Sequence, residues 1–154
     1  MAGTQKKLEI HNRRASFHYE LMETYAAGIV LKGTEIKALR EGAGSLNEAF
    51  CFMRDGELFI KNMHIAEYSH GNLMNHEVMR LRKLLLTKRE LGRIDAKMRE
   101  KGMAVVPVRL FQNERGYAKL EVALARGKKA FDKRESIKQK DNKRELDRVM
   151  KRYR

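Results

Sequence analysis

Met103-Ala104-Val105-Val106-Pro107-Val108-Arg109-Leu110-Phe111-Gln112, followed by Asn113-Glu114-Arg115-Gly116 and then Tyr117-Ala118-Lys119-Leu120-Glu121-Val122-Ala123-Leu124-Ala125, is the stretch that decides the fold. Val106, Val108 and Leu110 alternate with Pro107 and Arg109, and Leu120, Val122 and Leu124 alternate with Lys119, Glu121 and Ala123. A period of two puts successive side chains on opposite faces, so each run reads as a strand with one apolar face. Asn113 to Gly116 supplies the turn between them. Pro107 has no N–H to give to a ladder and belongs at an edge or a bulge.

Working upstream, Ala49 to Ile65 carries a second hairpin signal. Asp55-Gly56 sits between Ala49-Phe50-Cys51-Phe52-Met53 and Leu58-Phe59-Ile60, and Asp-Gly is preferred by tight primed turns. Phe50, Phe52 and Phe59 have the chemistry of base-stacking platforms, but their strand neighbours are equally apolar and core packing is the expected use. Phe17 to Leu31 reads as a strand, a bend at Ala26-Ala27-Gly28 and another strand, with Phe17, Tyr19 and Leu21 on one face.

Two segments switch to helical spacing. Gly33 to Gly42 predicts a short helix with Thr34 as N-cap, Ile36 and Leu39 on its inner face and Gly42 as its stop. Thr87-Lys88-Arg89-Glu90 matches a capping box, so a helix is expected to begin at Lys88; Leu91, Ile94 and Met98 form its apolar stripe and Gly102 ends it. The stripe is suited to closing one mouth of the sheet. The expected class is therefore mainly β: a small, partly open, OB-fold-like antiparallel barrel with two or three short helices and a basic C-terminal tail.

The chain has 154 residues, enough for one domain and an appendage. We divide it into a loose N-terminal arm (1–11), the barrel (12–126) and the tail (127–154). Lys and Arg number 34 against 20 Asp and Glu, a formal charge of +14, which favours a polyanionic partner and nucleic acid first. No apolar run approaches a spanning helix and Met1 to Lys7 lacks a signal-peptide block, so no membrane role and a cytoplasmic location are expected. The single cysteine, Cys51, leaves no disulfide to form and fits a reducing compartment, with packing in a strand as its expected role.

From Gly127 to Arg154, twelve basic residues against five acidic ones leave +7, half of the whole charge. So few apolar groups cannot offset the ordering entropy, and the tail alone is expected to be disordered. Leu146, Val149, Met150 and Tyr153 nevertheless recur at helical spacing, so a receiving surface can turn the end into an amphipathic helix. A basic tail that merely raises affinity for any RNA is the plainer alternative.

Asn12-Arg13-Arg14 can clamp phosphate oxygens through the rigid guanidinium fork, or can be a solvated charge pair at a strand entrance. His64, His70 and His76 are six apart, never on one helical turn, and are read as solvent-facing or close to RNA rather than as metal ligands. No close carboxylate pair, phosphate loop or nucleophile beside a base is present, so no catalysis, cofactor or metal is expected. A general single-strand binder or ribosome-associated barrel remains the alternative function at this point.

The ordered set Asn12-Arg13-Arg14-Ala15, Ala27-Gly28-Ile29, Gly33-Thr34-Glu35-Ile36-Lys37-Ala38-Leu39-Arg40, Arg82-Lys83-Leu84-Leu85-Leu86 and Gly127-Lys128-Lys129 with Asp132-Lys133-Arg134 resembles the SsrA-binding protein, or small protein B, family. Members of that family partner transfer-messenger RNA (tmRNA) in bacteria. The resemblance implies an oligonucleotide-binding barrel that grips the tRNA-like part of tmRNA and brings it to the empty A site of stalled ribosomes. Elongation factor Tu would take part through alanyl-tmRNA.

The resemblance implies RNA contacts at Asn12, Leu85 and Lys119, with Arg13, Arg14, Lys37, Arg40, Arg82 and Lys83 lying in the matched motifs. It also implies that Gly127, Lys128, Lys129, Phe131, Asp132, Lys133 and Arg134 meet the decoding centre of the small subunit. Lys143, Arg144, Arg148, Met150 and Lys151 would follow the vacant message channel. Two positions depart from the pattern: Ala26 stands where some members carry Glu, and Phe131 where His is frequent, which removes the imidazole's hydrogen bonding and titration.

Overall fold

The protein's computed structural model describes residues 8–71 and 74–128. In chain order its elements are β1 (Glu9–His11), α1 (Arg13–His18), β2 (Tyr19–Ile29), α2 (Gly33–Arg40), β3 (Gly44–Ser45), β4 (Phe50–Arg54), β5 (Glu57–Lys61), β6 (His64–Ile65), β7 (Arg82–Leu85), α3 (Lys88–Met98), β8 (Met103–Gln112) and β9 (Ala118–Gly127). Every pairing is antiparallel. The main sheet runs β1-β8-β4-β5-β7-β2-β9, and β8 also pairs with β9, so the strand order closes like a ring. The seam between β4 and β8 is narrow, with Cys51 opposite Val105 as its register pair.

The alternation in the deciding stretch holds along β9, where Leu120, Val122 and Leu124 are buried in the core. In β8 it does not hold. Leu110 and Val105 face the core, whereas Val106 joins a second cluster with Ala15, Ala123 and Ala125. A register shift between Pro107 and Arg109 inserts the extra residue that reverses the parity. The matching shift between Leu21 and Glu23 does the same in β2, so Leu21 packs with the second cluster while Tyr25 packs against the core.

These bulges correct the reading of Phe17 to Leu31. Phe17 is helical, in α1, and Tyr19 to Ile29 is one strand that passes through Ala26-Ala27-Gly28 without a break. The small residues serve close approach: a Cβ on Gly28 would stand 3.2 Å from the Cβ of Leu85 across the pair. The N-terminal stretch expected to be loose also contains Glu9–His11, which pairs with Phe111 to Arg109 of β8. A three-residue strand is too short for its alternation to show in the sequence.

The hairpin signal is borne out, since Asp55 and Gly56 both have positive φ (52° and 78°), as a type I′ turn requires. Cys51 is buried there, and burial pushes its thiol pKa up. The three phenylalanines are a correction: Cys51, Leu58 and Ile60 enter the core, while Phe50, Phe52 and Phe59 occupy the other face of the hairpin. The capping box at Thr87 and Glu90 is formed, and Ile94 is fully buried in the core cluster with Leu91 and Met98 packed against it. In α2 the N-cap is Lys32, whose backbone amide donates to the Glu35 carboxylate at 2.7 Å, and Gly42 takes the left-handed turn that ends the helix.

Thr34 is left to another partner. Its hydroxyl lies 2.9 Å from Nδ1 of His76, whose Nε2 lies 2.9 Å from the Ile65 carbonyl. A carbonyl can only accept, so Nε2–H donates. His76 is therefore buried and ties the segment after β6 to α2, in contrast to the solvent-facing role expected for it. Replacing His76 with Ala leaves the Ile65 carbonyl without its donor, and we expect a stability loss of about 1–3 kcal/mol with faster proteolysis between residues 66 and 81. Urea melts and timed proteolysis check this.

Candidate nucleic-acid interface

The ladder registers arrange the outer face of the ring in rows. Leu85 stands opposite Gly28, Gly28 opposite Lys119, and Lys119 opposite Phe111. Leu85 is 51% exposed, Gly28 has no side chain to cover it, and Lys119 makes no ion pair among the described residues. The result is an apolar side chain lying against Gly28 and, beyond it, an ammonium without an ion pair among the described residues, all at one level of the sheet.

In the next row Ala26 faces Glu121, and Glu121 accepts from Nε of Arg109 at 2.5 Å. Arg109 also lies 4.3 Å from the centre of the Phe111 ring. Its charge is thereby neutralised, which leaves Lys119, half-buried, as the cation of this patch without an ion pair among the described residues. Around the adjoining β8–β9 turn, Arg40 of α2 borders a small apolar groove with Leu31, Ile36 and Tyr117. Tyr117 is 66% exposed there.

The other end of β9 carries the root of the tail, roughly 27 Å from Lys119 at about 3.3–3.4 Å per strand residue. Gly127 donates to the Gly102 carbonyl at 3.4 Å and Lys128 to the His18 carbonyl at 2.9 Å, so the chain leaves the body beside α1. Arg13 and Arg14 are exposed on that helix, and Arg14 pairs with Glu48 at 2.5 Å. A cleft of about 490 Å³ opens between α1, Phe50 and Lys128.

The expected RNA-binding residues thus separate into groups. Leu85, Lys119 and Arg40 gather at one end, while Arg13, Arg14, Gly127 and Lys128 gather at the other. Lys37 is exposed on α2, with its ammonium 5.7 Å from the Tyr68 ring centre, and Lys83 is paired with Glu57 at 2.8 Å.

Two assignments need correction as direct contacts. Asn12 is buried, its Nδ2 donating to the Pro107 carbonyl at 2.8 Å and its backbone N–H to Val108 at 2.8 Å, so it anchors the start of α1 on the β8 bulge. Arg82 is fully buried: Nε bonds Glu35, and two further nitrogens donate to the carbonyls of Met63 at 2.7 Å and Val78 at 3.3 Å. A phosphate could take its guanidinium only by stranding Glu35. Burial pulls the Glu35 pKa upward, but Arg80, the Lys32 amide and Arg82 outweigh it and hold the carboxyl below its ordinary range.

Lys129, Phe131, Asp132, Lys133, Arg134, Lys143, Arg144, Arg148, Met150 and Lys151 lie outside the described residues. Sequence reading missed the outward face of the hairpin. The signal was present in β5, where Phe59 shares its parity with Glu57 and Lys61 and not with Leu58 and Ile60.

A family model described as SmpB protein matches residues 9–152. The chain is 58% identical over 148 residues to the SsrA-binding protein of Bacteroides thetaiotaomicron, covering 96% of this chain and 99% of that one. It is 46% identical over 148 residues to the SsrA-binding protein of Sinorhizobium medicae, covering 96% and 93%. A solved structure, "tmRNA-SmpB: a journey to the center of the bacterial ribosome", superposes with a TM-score of 0.69 at 47% identity over 84% of this chain and 94% of that one. With a family model matched over residues 9–152, relatives more than half identical over almost the whole chain and a solved structure of the same fold, this chain belongs to the SmpB family.

Proposed function

We propose that this protein binds the tRNA-like part of tmRNA on the outer face of an OB-type barrel and delivers it to the A site of stalled ribosomes for trans-translation. It acts as a binding protein and not as an enzyme. The observation that carries the reading is the Leu85–Gly28–Lys119 row, an exposed apolar side chain and an ammonium that makes no ion pair among the described residues on either side of a glycine. Structured RNA is held mainly through backbone, 2′-hydroxyls and splayed bases, which a patch of this kind suits.

In this reading the RNA-binding barrel runs from β1 at Glu9 to residue 126, and 127–154 is a tail that reaches the decoding centre and message channel. The separation of Lys119 from the tail root favours such a division, since one RNA-facing end and one ribosome-facing end can be occupied together. Elongation factor Tu would join through alanyl-tmRNA, in the cytoplasm. Among the described residues no helix is long and apolar enough to cross a membrane.

The test is a competition assay at moderate salt between tmRNA and unrelated single strands. A retained preference for tmRNA is expected, and equal affinity would sink the reading. Lys119→Ala should weaken tmRNA binding and lower the salt slope by about one, whereas Arg82→Met should leave the slope unchanged in the folded fraction.

A further inference from the structure

We propose that the outward face of the β4–β5 hairpin is a stacking platform for unpaired bases of the same RNA that the Leu85–Lys119 row engages. The inference rests on the tmRNA reading above and extends it to a second contact area. Phe52 stands directly opposite Phe59, and their rings are 5.9 Å apart at 26°, close to parallel. Phe50 continues the strip at 6.3 Å from Phe52 and is 43% exposed. The rings hold one another in place, so a base laid on them costs little further ordering.

The surroundings favour a nucleic acid. Lys61 lies opposite Phe50 and Lys83 opposite Phe59, which sets an ammonium beside each end of the aromatic strip. The carboxylate on this face, Glu57, is already engaged by Lys83. Bases have a π face whatever their sequence, and Lys61, which makes no ion pair among the described residues, is the margin cation left to take the phosphates that follow them. The helices make their main contacts with other strands, α1 with β2 and β8, α2 with β6, and α3 with β8 and β9; α1 borders Phe50 across the cleft described above, and α3 reaches the hairpin at Met53 and Gly56.

Continuity supplies the occupant. Lys83 and Leu85 share one face of β7, so the strip Phe52–Phe59–Lys83 runs beside the row Leu85–Gly28–Lys119 one step along the strands. An RNA seated on the second therefore passes the first. Its unpaired loop nucleotides are the segment able to lie flat on phenylalanine rings.

The experiment uses the full-length protein and a tmRNA transcript. The double variant Phe52→Leu with Phe59→Leu keeps apolar bulk but removes the π faces. Its Kd should rise about tenfold with the salt slope unchanged, whereas Lys119→Ala lowers the slope. If the wild type prefers tmRNA and the double variant binds it equally well, the platform is refuted and the tmRNA reading stands. If the wild type shows no preference, the tmRNA reading itself has failed.

A concentration-dependent dimer abolished by the double variant, or a loss seen only on ribosomes and not with tmRNA alone, would likewise overturn the assignment. Ultraviolet cross-linking of the unaltered complex makes the test independent of the variant's folding. A nucleotide attached to the peptide containing Phe50, Phe52 or Phe59 is expected, and its absence while other peptides are cross-linked would count against the platform.

Discussion

Replacing Glu35 with alanine is expected to cost about 3–5 kcal/mol of folding stability, the largest loss from any single substitution proposed. Both Glu35 and Arg82 have side chains at 0% exposure, and the carboxylate is shared by Arg82, Arg80 and the Lys32 amide. Without it a guanidinium remains buried on two carbonyls alone. Arg82→Met, which keeps the apolar stem and leaves Glu35 bonded to Arg80, should cost less. A urea melt of each variant decides the order, and a smaller loss for Glu35→Ala than for Arg82→Met would overturn the account.

The same pair sets a pH dependence. The folded-state pKa of Glu35 lies below its ordinary value of 4.5, so its contribution is present in full above that value. It is lost as pH falls through the depressed folded value. Wild-type stability should therefore decline toward acid more steeply than that of Glu35→Ala, with the gap between them narrowing below about pH 4.5.

Ending the chain after Lys128 is expected to reduce tagging on stalled ribosomes to background while changing tmRNA affinity only modestly. That cut preserves the backbone bonds of Gly127 and Lys128 to the body and removes eleven basic and five acidic residues. The lost charge lowers non-specific RNA affinity, which is why binding is best compared at moderate salt. Changing Asp132, Lys133 and Arg134 together to alanine should reproduce the tagging defect. Equal loss of binding and tagging on truncation would contradict the division between body and tail, and normal tagging by the triple variant would contradict the role given to the junction.

Signals confined to a few neighbouring residues were legible. Asp55-Gly56 fixes its turn because both positions accept positive φ, and Thr87 with Glu90 starts α3 because each satisfies an orphan amide of the other. Pro107 announced a bulge, but not its consequence. A single extra residue in β8 sends Val106 and Leu110, which alternation places together, to opposite faces. The site divided in the same way: Lys119 is half-buried and makes no ion pair among the described residues, while Asn12 and Arg82, equally polar in the sequence, are buried.

The sequence by itself determined a basic, mainly β chain with two strong hairpins, a capped helix, a charged tail and the ordered motifs of its family. Those features depend on local propensity, spacing and composition. Tertiary structure decided which cations are free and which aromatics face outward. Burial and partnership are set by strand register and by residues distant in the chain, as when Glu35 claims Arg82 from 47 positions away. A side chain's polarity is written in the sequence; whether a partner within the fold has already taken its charge is not.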